Sequence, residues 1–317
     1  MNKESKIYVA GHTGLVGSAL VKKLKGKGYT RIITKSHRDL DLTRQSETEK
    51  FFKEERPSYV LCAAARVGGI GANSTYPAEF IYANLAIALN IIHGSFRYGV
   101  KKLLNLGSSC IFPKFAPQPL KEEYLLTGTL EPTNEAYSIA KIAAIKLCAF
   151  YNKQYKTDFI SVMPTNLYGP RDNYDLNNSH VLAALIRKFH EAAVSDTPVV
   201  LWGDGSPYRE FLYSDDLADA VIFLMEHYSS RDIGEFINIG TGVEIRIKDL
   251  AEKISHIAGY KGNITWDTTK PNGTPRKLLD VSRLEALGWQ AKTTLDEGLV
   301  LTYEDFKENY MKYTVSV

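Results

Sequence analysis

The chain has 317 residues, 44% of them hydrophobic and 24% charged, so it can bury one large core or two unequal ones that share an interface. A formal net charge of +3 excludes the footprint of a nucleic-acid or membrane-surface protein, although a local pair such as Arg276-Lys277 can still hold phosphates. Three cysteines without metal-ligand spacing suggest neither disulfides nor a metal site, and with no apolar signal segment or bilayer-length stretch a cytoplasmic protein is expected.

The first half alternates short β-branched apolar runs with longer helical patterns. Strands are predicted at 7–10, 31–35, 59–63, 102–106 and 159–163, and helices at 15–26, 46–55, 77–98 and 135–155. This order predicts an α/β fold: a doubly wound, parallel Rossmann-type sheet with helices on both faces. Ligands then bind beyond the carboxyl ends of the strands.

After the first strand comes Gly11-His12-Thr13-Gly14-Leu15-Val16-Gly17, which opens the first helix. Small residues there let the backbone approach a pyrophosphate, whose charge suits the unpaired N–H groups of a helix N-terminus. The second strand ends in Lys35-Ser36-His37-Arg38, and basic groups at that point suit the extra phosphate of NADP rather than NAD. Asp39 and Asp41 follow slightly later.

Beyond the fourth strand lies Leu106-Gly107-Ser108-Ser109-Cys110, a hydroxyl cluster suited to binding a substrate carbonyl. In the helix from Glu135, Tyr137 and Lys141 stand four residues apart, hence on one face. A close ammonium favours phenolate, and moving a phenol from about 10 to about 7 needs roughly 4 kcal/mol. Tyr98 with Lys102 and Tyr303 with Lys307 share that spacing, but only Tyr137 has the serine cluster upstream.

After Pro164 the alternation weakens, and Gly, Pro, Asn and Asp cluster at 167–178 and 270–275. A smaller lobe is expected, interleaved with late sheet elements at 215–225 (helix) and 235–239 (strand). The division is 1–165 with 212–240 for the dinucleotide and 166–211 with 241–317 for the substrate.

The glycine loop with Ser108, Tyr137 and Lys141 resembles the extended short-chain dehydrogenases. Longer strings around Val67-Gly68-Gly69-Ile70, Ser108-Ser109-Cys110-Ile111, Gly128 to Glu135, Val162 to Pro170 and Gly273-Thr274-Pro275-Arg276-Lys277 cover nearly the whole chain and resemble the GDP-L-fucose synthase family. That resemblance implies epimerisation of GDP-4-keto-6-deoxy-D-mannose at C3 and C5, then reduction of C4 with NADPH, by a homodimer joined through the helices at 77–98 and 135–155. It carries the base role to Cys110 and the acid role to His180. It carries cofactor contacts to Gly11, Thr13, Gly14, Leu15, Val16, Gly17, His37, Arg38, Lys141, Asn166 and His180. Substrate contacts fall on Asn166, Lys188, Trp202 and Arg209.

Two departures from the family pattern stand out. Lys188 replaces an arginine and lacks its planar fork, and His12-Thr13 lacks an arginine often present in this loop. A 4,6-dehydratase is disfavoured because Ser109-Cys110 offers no carboxylate, and a UDP-sugar 4-epimerase because of the basic segment at 35–38. A reductase acting at C4 alone, on this or a related GDP-keto-heptose, and a catalytically silent nucleotide-sugar binder on the same scaffold are the alternatives that remain.

Overall fold

The structure, a computed structural model, describes residues 1–270 and 272–314. Pro271 of the turn-rich stretch and residues 315–317 of the expected second lobe lie outside the described residues.

Six parallel strands make the central sheet: β1 (Ile7–Ala10), β2 (Ile32–Ile33), β3 (Tyr59–Cys62), β4 (Lys102–Leu106), β5 (Phe159–Pro164) and β9 (Ile237–Ile239), in the order β2-β1-β3-β4-β5-β9. β1 and β4 are buried along their whole length, as strands covered on both faces must be. One face carries α1 (Leu15–Gly26) and α7 (Ser214–His227), which pack on each other over Ile7, Leu20, Leu104, Val162, Leu217 and Val221. The other carries α2 (Gln45–Glu55), α4 (Pro77–Arg97) and α5 (Glu135–Tyr155) over Phe52, Val60, Ile91 and Leu103. Truncating any one such side chain to alanine typically costs about 2–5 kcal/mol. The second strand is only two residues long, where five had been predicted.

Outside this sheet, β8 (Tyr208–Tyr213) pairs with β6 (Asn166–Tyr168), β10 (Glu244–Arg246) and β12 (Arg276–Lys277), while β7 (Val199–Trp202) pairs with β11 (Ile264–Asp267). Three helices, α6 (Val181–Ser195), α9 (Ile247–Ile257) and α11 (Leu295–Glu308), bury Leu185, Phe189, Leu250, Ile254, Leu299 and Phe306 in a separate cluster. α3 (Ile70–Thr75), α8 (Ser230–Ile233), α10 (Ser282–Ala286) and α12 (Tyr310–Thr314) are short. Leu284 and Trp289 of the last third pack into the core of the six-stranded sheet. Among the described residues, no helix is long and apolar enough to cross a membrane, and no group of three or more potential ligands gathers as for a metal ion.

Candidate active site

The candidate residues lie in the cleft beyond the carboxyl ends of the central strands. At the end of β1, Gly11 has φ +79° and no room for a Cβ, which would meet the Ala63 and Ala64 backbone at 2.8–2.9 Å. A Cβ on Gly17 would sit on the Gly11 carbonyl, so this close turn admits only glycine at both positions. Gly14 is the N-cap of α1 with no side-chain cap, and the first turn holds no acidic residue. The N–H groups of Leu15, Val16 and Gly17 therefore face the cleft side of the helix without intrahelical acceptors. His12 Nδ1 is buried with no hydrogen-bond partner. A tight backbone cradle, uncapped donors and an unpaired buried nitrogen fit the pyrophosphate of a dinucleotide.

Past β2, the two aspartates are occupied by their neighbours. Asp39 accepts a hydrogen bond from the Ser36 hydroxyl at 2.6 Å, and Asp41 accepts one from Thr43 at 2.7 Å. Both carboxyls are thereby held below their usual range. His37 is highly exposed, 3.9 Å from Asp41, and Arg38 is exposed with no ion pair among the described residues. The basic side chains are thus the ones left to meet an anion.

Ser108 caps the turn of 3-10 helix Ser109–Ile111, its hydroxyl accepting from the Cys110 N–H at 3.3 Å. Helix α5 is tied to this turn by Ser138, fully buried, which lies 2.9 Å from the Cys110 carbonyl oxygen as hydrogen-bond donor. That bond sets Tyr137 beside Ser108, and the phenol ring packs edge-on against Phe80 with centroids 6.5 Å apart. Lys141, one turn on, has its ammonium 5.7 Å from the Tyr137 ring centroid and donates to the Leu106 carbonyl at 2.7 Å.

The expectation that Lys141 lowers the Tyr137 phenol is not met by the protein's own groups. Burial pushes that phenol well above its ordinary value and the Cys110 charge adds to this, against a smaller opposing bond from Ser108. Burial also lowers Lys141, whose ammonium is directed to a backbone carbonyl. Helical spacing shows proximity but not the desolvation that outweighs it.

The Cys110 sulfur accepts from Asn134 Nδ2 at 3.3 Å and from Lys277 Nζ at 3.4 Å. Burial pushes the thiol up, but Lys277, the Ser108 hydroxyl and Arg209 together outweigh it and leave the thiol below its usual range. Cys62 and Cys148, by contrast, are buried and raised, Cys148 to about 12, as expected of packing thiols.

His180 is the N-cap of α6; its carbonyl accepts from the Ala184 N–H at 3.0 Å, and its imidazole makes no hydrogen bond among the described residues. Its surface is accessible, yet the protein walls of the cleft push the imidazole below its ordinary value and Lys277 pushes it further. The loop before it is fixed by the Gly69 N–H, which donates to the Asn178 carbonyl at 2.8 Å and so ties the turn-rich stretch at 167–178 to the Val67–Ile70 string.

Asn166 on β6 donates to the Glu210 carbonyl at 2.8 Å. Arg209, next to Glu210 on β8, is mostly enclosed and has its guanidinium on the Tyr208 carbonyl at 2.7 Å. Lys188 donates to the Val200 carbonyl at 2.8 Å, which brings it to the strand carrying the half-exposed Trp202. Arg276 and Lys277 take different partners within the protein. Alternation along β12 sends Arg276 to Glu244 at 2.6 Å and Lys277 to Cys110.

Sequence reasoning missed Ser138, Asn134 and Lys277 as members of this site. Asn134 and Lys277 lie inside strings quoted for the resemblance and Ser138 directly follows Tyr137, but nothing local to any of them signals its contact with Cys110.

Residues 7–240 match the NAD dependent epimerase/dehydratase family. The GDP-L-fucose synthase 1 of Arabidopsis thaliana is 57% identical, covering 97% of this chain and 95% of that protein. The GDP-L-fucose synthase of Escherichia coli strain K12 is 51% identical, covering 99% of each. Among solved structures, a GDP-mannoheptose C4 reductase from Campylobacter jejuni with NADP bound superposes with a TM-score of 0.90 at 41% identity, covering 97% of this chain and 99% of that one. On fold, cradle and relatives together, this chain belongs to the NAD dependent epimerase/dehydratase family, among its GDP-L-fucose synthases.

Proposed function

We propose that the chain converts GDP-4-keto-6-deoxy-D-mannose to GDP-L-fucose by epimerisation at C3 and C5 and NADPH-dependent reduction at C4. The observation that carries this reading is the pairing, in one cleft, of a cation-flanked Cys110 sulfur with His180 beside Ser108, Tyr137 and Lys141. A C4 ketone acidifies the hydrogens on both neighbouring carbons, and inversion needs one group to remove a proton and another to return it. The Cys110 thiolate takes the proton, the C–H pair moves into the ring, and negative charge gathers on O4. There the Ser108 hydroxyl and Tyr137 phenol donate hydrogen bonds, and His180 would return a proton to the opposite face from its charged form, which desolvation by the cleft walls and Lys277 make a stronger acid than an ordinary imidazolium. A phenol that burial keeps protonated is in the right state to donate to O4.

When bound, NADPH would supply the hydride for reduction at C4. Gly11, Thr13, Gly14, Leu15, Val16 and Gly17 would hold its pyrophosphate, His37 and Arg38 its extra phosphate, and Lys141, Asn166 and His180 its nicotinamide end. Lys188, Trp202, Arg209 and Asn166 would hold the GDP-sugar, with Lys188 acting as a point charge. The division into 1–165 with 212–240 and 166–211 with 241–317 fits this assignment, and is supported by the separate hydrophobic cluster of α6, α9 and α11, although Leu284 and Trp289 pack with the central sheet.

Reduction at C4 alone is what Ser108, Tyr137 and Lys141 would support by themselves, and the Campylobacter reductase keeps that reading in view. We read the assembly as a homodimer in the cytoplasm, a reducing compartment where a free Cys110 thiol survives. Its support is an apolar stripe on the paired helices α4 and α5: Tyr82 and Leu89 stand seven residues apart, Ile139 and Phe150 eleven, and all four are exposed. The test of the catalytic reading is NADPH oxidation on GDP-4-keto-6-deoxy-D-mannose. Absence of oxidation would reject it.

A further inference from the structure

We propose that Lys277 is a positioning residue for Cys110, its ammonium and the Asn134 amide together holding the sulfur as a thiolate ready to remove a proton from carbon. The inference rests on the reading of Cys110 as the base.

The first support is geometric. Lys277 Nζ lies 3.4 Å from the sulfur and Asn134 Nδ2 3.3 Å, so two donors converge on one weak acceptor. A neutral thiol accepts poorly, whereas a thiolate gains from every donor placed on it. The Asn134 amide is set from the other side by Ser138, whose hydroxyl lies 3.4 Å from Asn134 Oδ1.

The second support is the pairing of the surrounding charges. A cavity of about 20 Å³ beside the sulfur is lined by Lys114, Glu131, Arg276 and Lys277. Lys114 pairs with Glu131 at 2.9 Å and Arg276 with Glu244 at 2.6 Å, which compensates both cations. Lys277 has no carboxylate partner among the described residues, and its ammonium meets the sulfur instead. From the other elements, Arg209 of β8, Tyr137 of α5 and His180 of α6 also face this group. Of these, Arg209 favours the thiolate and the Tyr137 phenol is neutral. The strand pairing Lys277↔Arg209 delivers both cations from adjacent strands.

Charge balance gives the arrangement a use. Abstraction moves one negative charge from sulfur to O4 and leaves a neutral thiol beside an unchanged ammonium. Two epimerisations require Cys110 to return to the thiolate after the first. A fixed ammonium without a competing carboxylate favours that return each time.

The experiment uses the full chain as wild type, Lys277→Met, Lys277→Arg and Cys110→Ser. Two quantities are read: the pH dependence of Cys110 alkylation by iodoacetamide, mapped by peptide mass, and deuterium uptake at C3 and C5 of GDP-4-keto-6-deoxy-D-mannose in heavy water. A charge at this range moves a neighbour's titration by about 1–3 units. Lys277→Met is therefore expected to slow alkylation at pH 7 by roughly tenfold or more, with exchange falling alongside and Lys277→Arg recovering part of both. If Lys277→Met does not fold, Lys277→Gln carries the same comparison. Alkylation with the wild-type pH dependence in a folded neutral variant would overturn the proposal, and a rise in KM alone would then assign Lys277 to substrate binding. Slower alkylation with undiminished exchange would uphold the role of Lys277 and instead remove Cys110 as the base.

Discussion

The Lys141 ammonium donates to the Leu106 carbonyl at 2.7 Å and so binds helix α5 to the end of strand β4, one helical turn from the Tyr137 ring. The phenol and the serine turn are thereby held as one unit. Tyr137→Phe is expected to lower C4 reduction by about 10²-fold or more, the usual range for losing a general acid. NADPH affinity should stay within about twofold, because the ring still packs on Phe80. Single-turnover kinetics and cofactor titration check both halves, and Lys141→Met should lose both.

The proposed reading assigns the cofactor preference to two exposed side chains. His37 and Arg38 changed together to Ala should erode the preference for NADPH over NADH without altering the maximal rate, since the pyrophosphate cradle is untouched. Comparing kcat/KM for the two cofactors decides it. Equal use of both by the unaltered chain would defeat the assignment.

Asp172, buried and outside the candidate catalytic set, offers a stability test. Burial pushes its carboxyl up to about 7, against one opposing hydrogen bond from the Asn173 N–H at 2.7 Å. A folded-state value above the unfolded one means that this group's contribution is fully present below about pH 4 and lost as pH rises through about 7. The loss is of the order of 4 kcal/mol at most. Asp172→Asn keeps an oxygen for the Asn173 N–H and removes the titration. Its Tm advantage over wild type should grow between pH 5 and pH 8, and equal Tm values at both would contradict this.

The homodimer proposed above would meet along the exposed apolar stripe on α4 and α5. Leu89→Asp with Phe150→Asp should shift micromolar protein from dimer to monomer in sedimentation. A wild-type monomer at that concentration would count against the reading.

Much of the site was legible because its parts lie in short strings at strand ends. Gly11, Gly14 and Gly17, Ser108 with Cys110, and Tyr137 with Lys141 each declare themselves within seven residues. Lys277 does not, because it reaches Cys110 across 167 residues through the pairing of β12 with β8. The direction of the Tyr137 shift was illegible for another reason: spacing on a helix carries no information on burial. The helices Ile247–Ile257 and Leu295–Glu308 were readable and were missed. Leu250, Ala251 and Ile254 in one, and Leu299, Thr302, Tyr303 and Phe306 in the other, are apolar stripes at helical spacing. The two-residue strand Ile32–Ile33 was over-extended: Thr34 continues the β-branched pattern with no register partner on β1, and Arg31 gives β1 only its carbonyl, which accepts from the Ile7 N–H at 2.9 Å.

The central claim is that one site both epimerises and reduces. GDP-4-keto-6-deoxy-D-mannose should be turned over with NADPH in heavy water, by wild type and by Cys110→Ser, and the products identified by NMR. Wild type should give GDP-L-fucose carrying deuterium at C3 and C5. Cys110→Ser, with a hydroxyl far less acidic than the thiol, should give an unexchanged product reduced only at C4. A wild-type product without deuterium at either carbon, or full exchange at both in Cys110→Ser, would contradict the account.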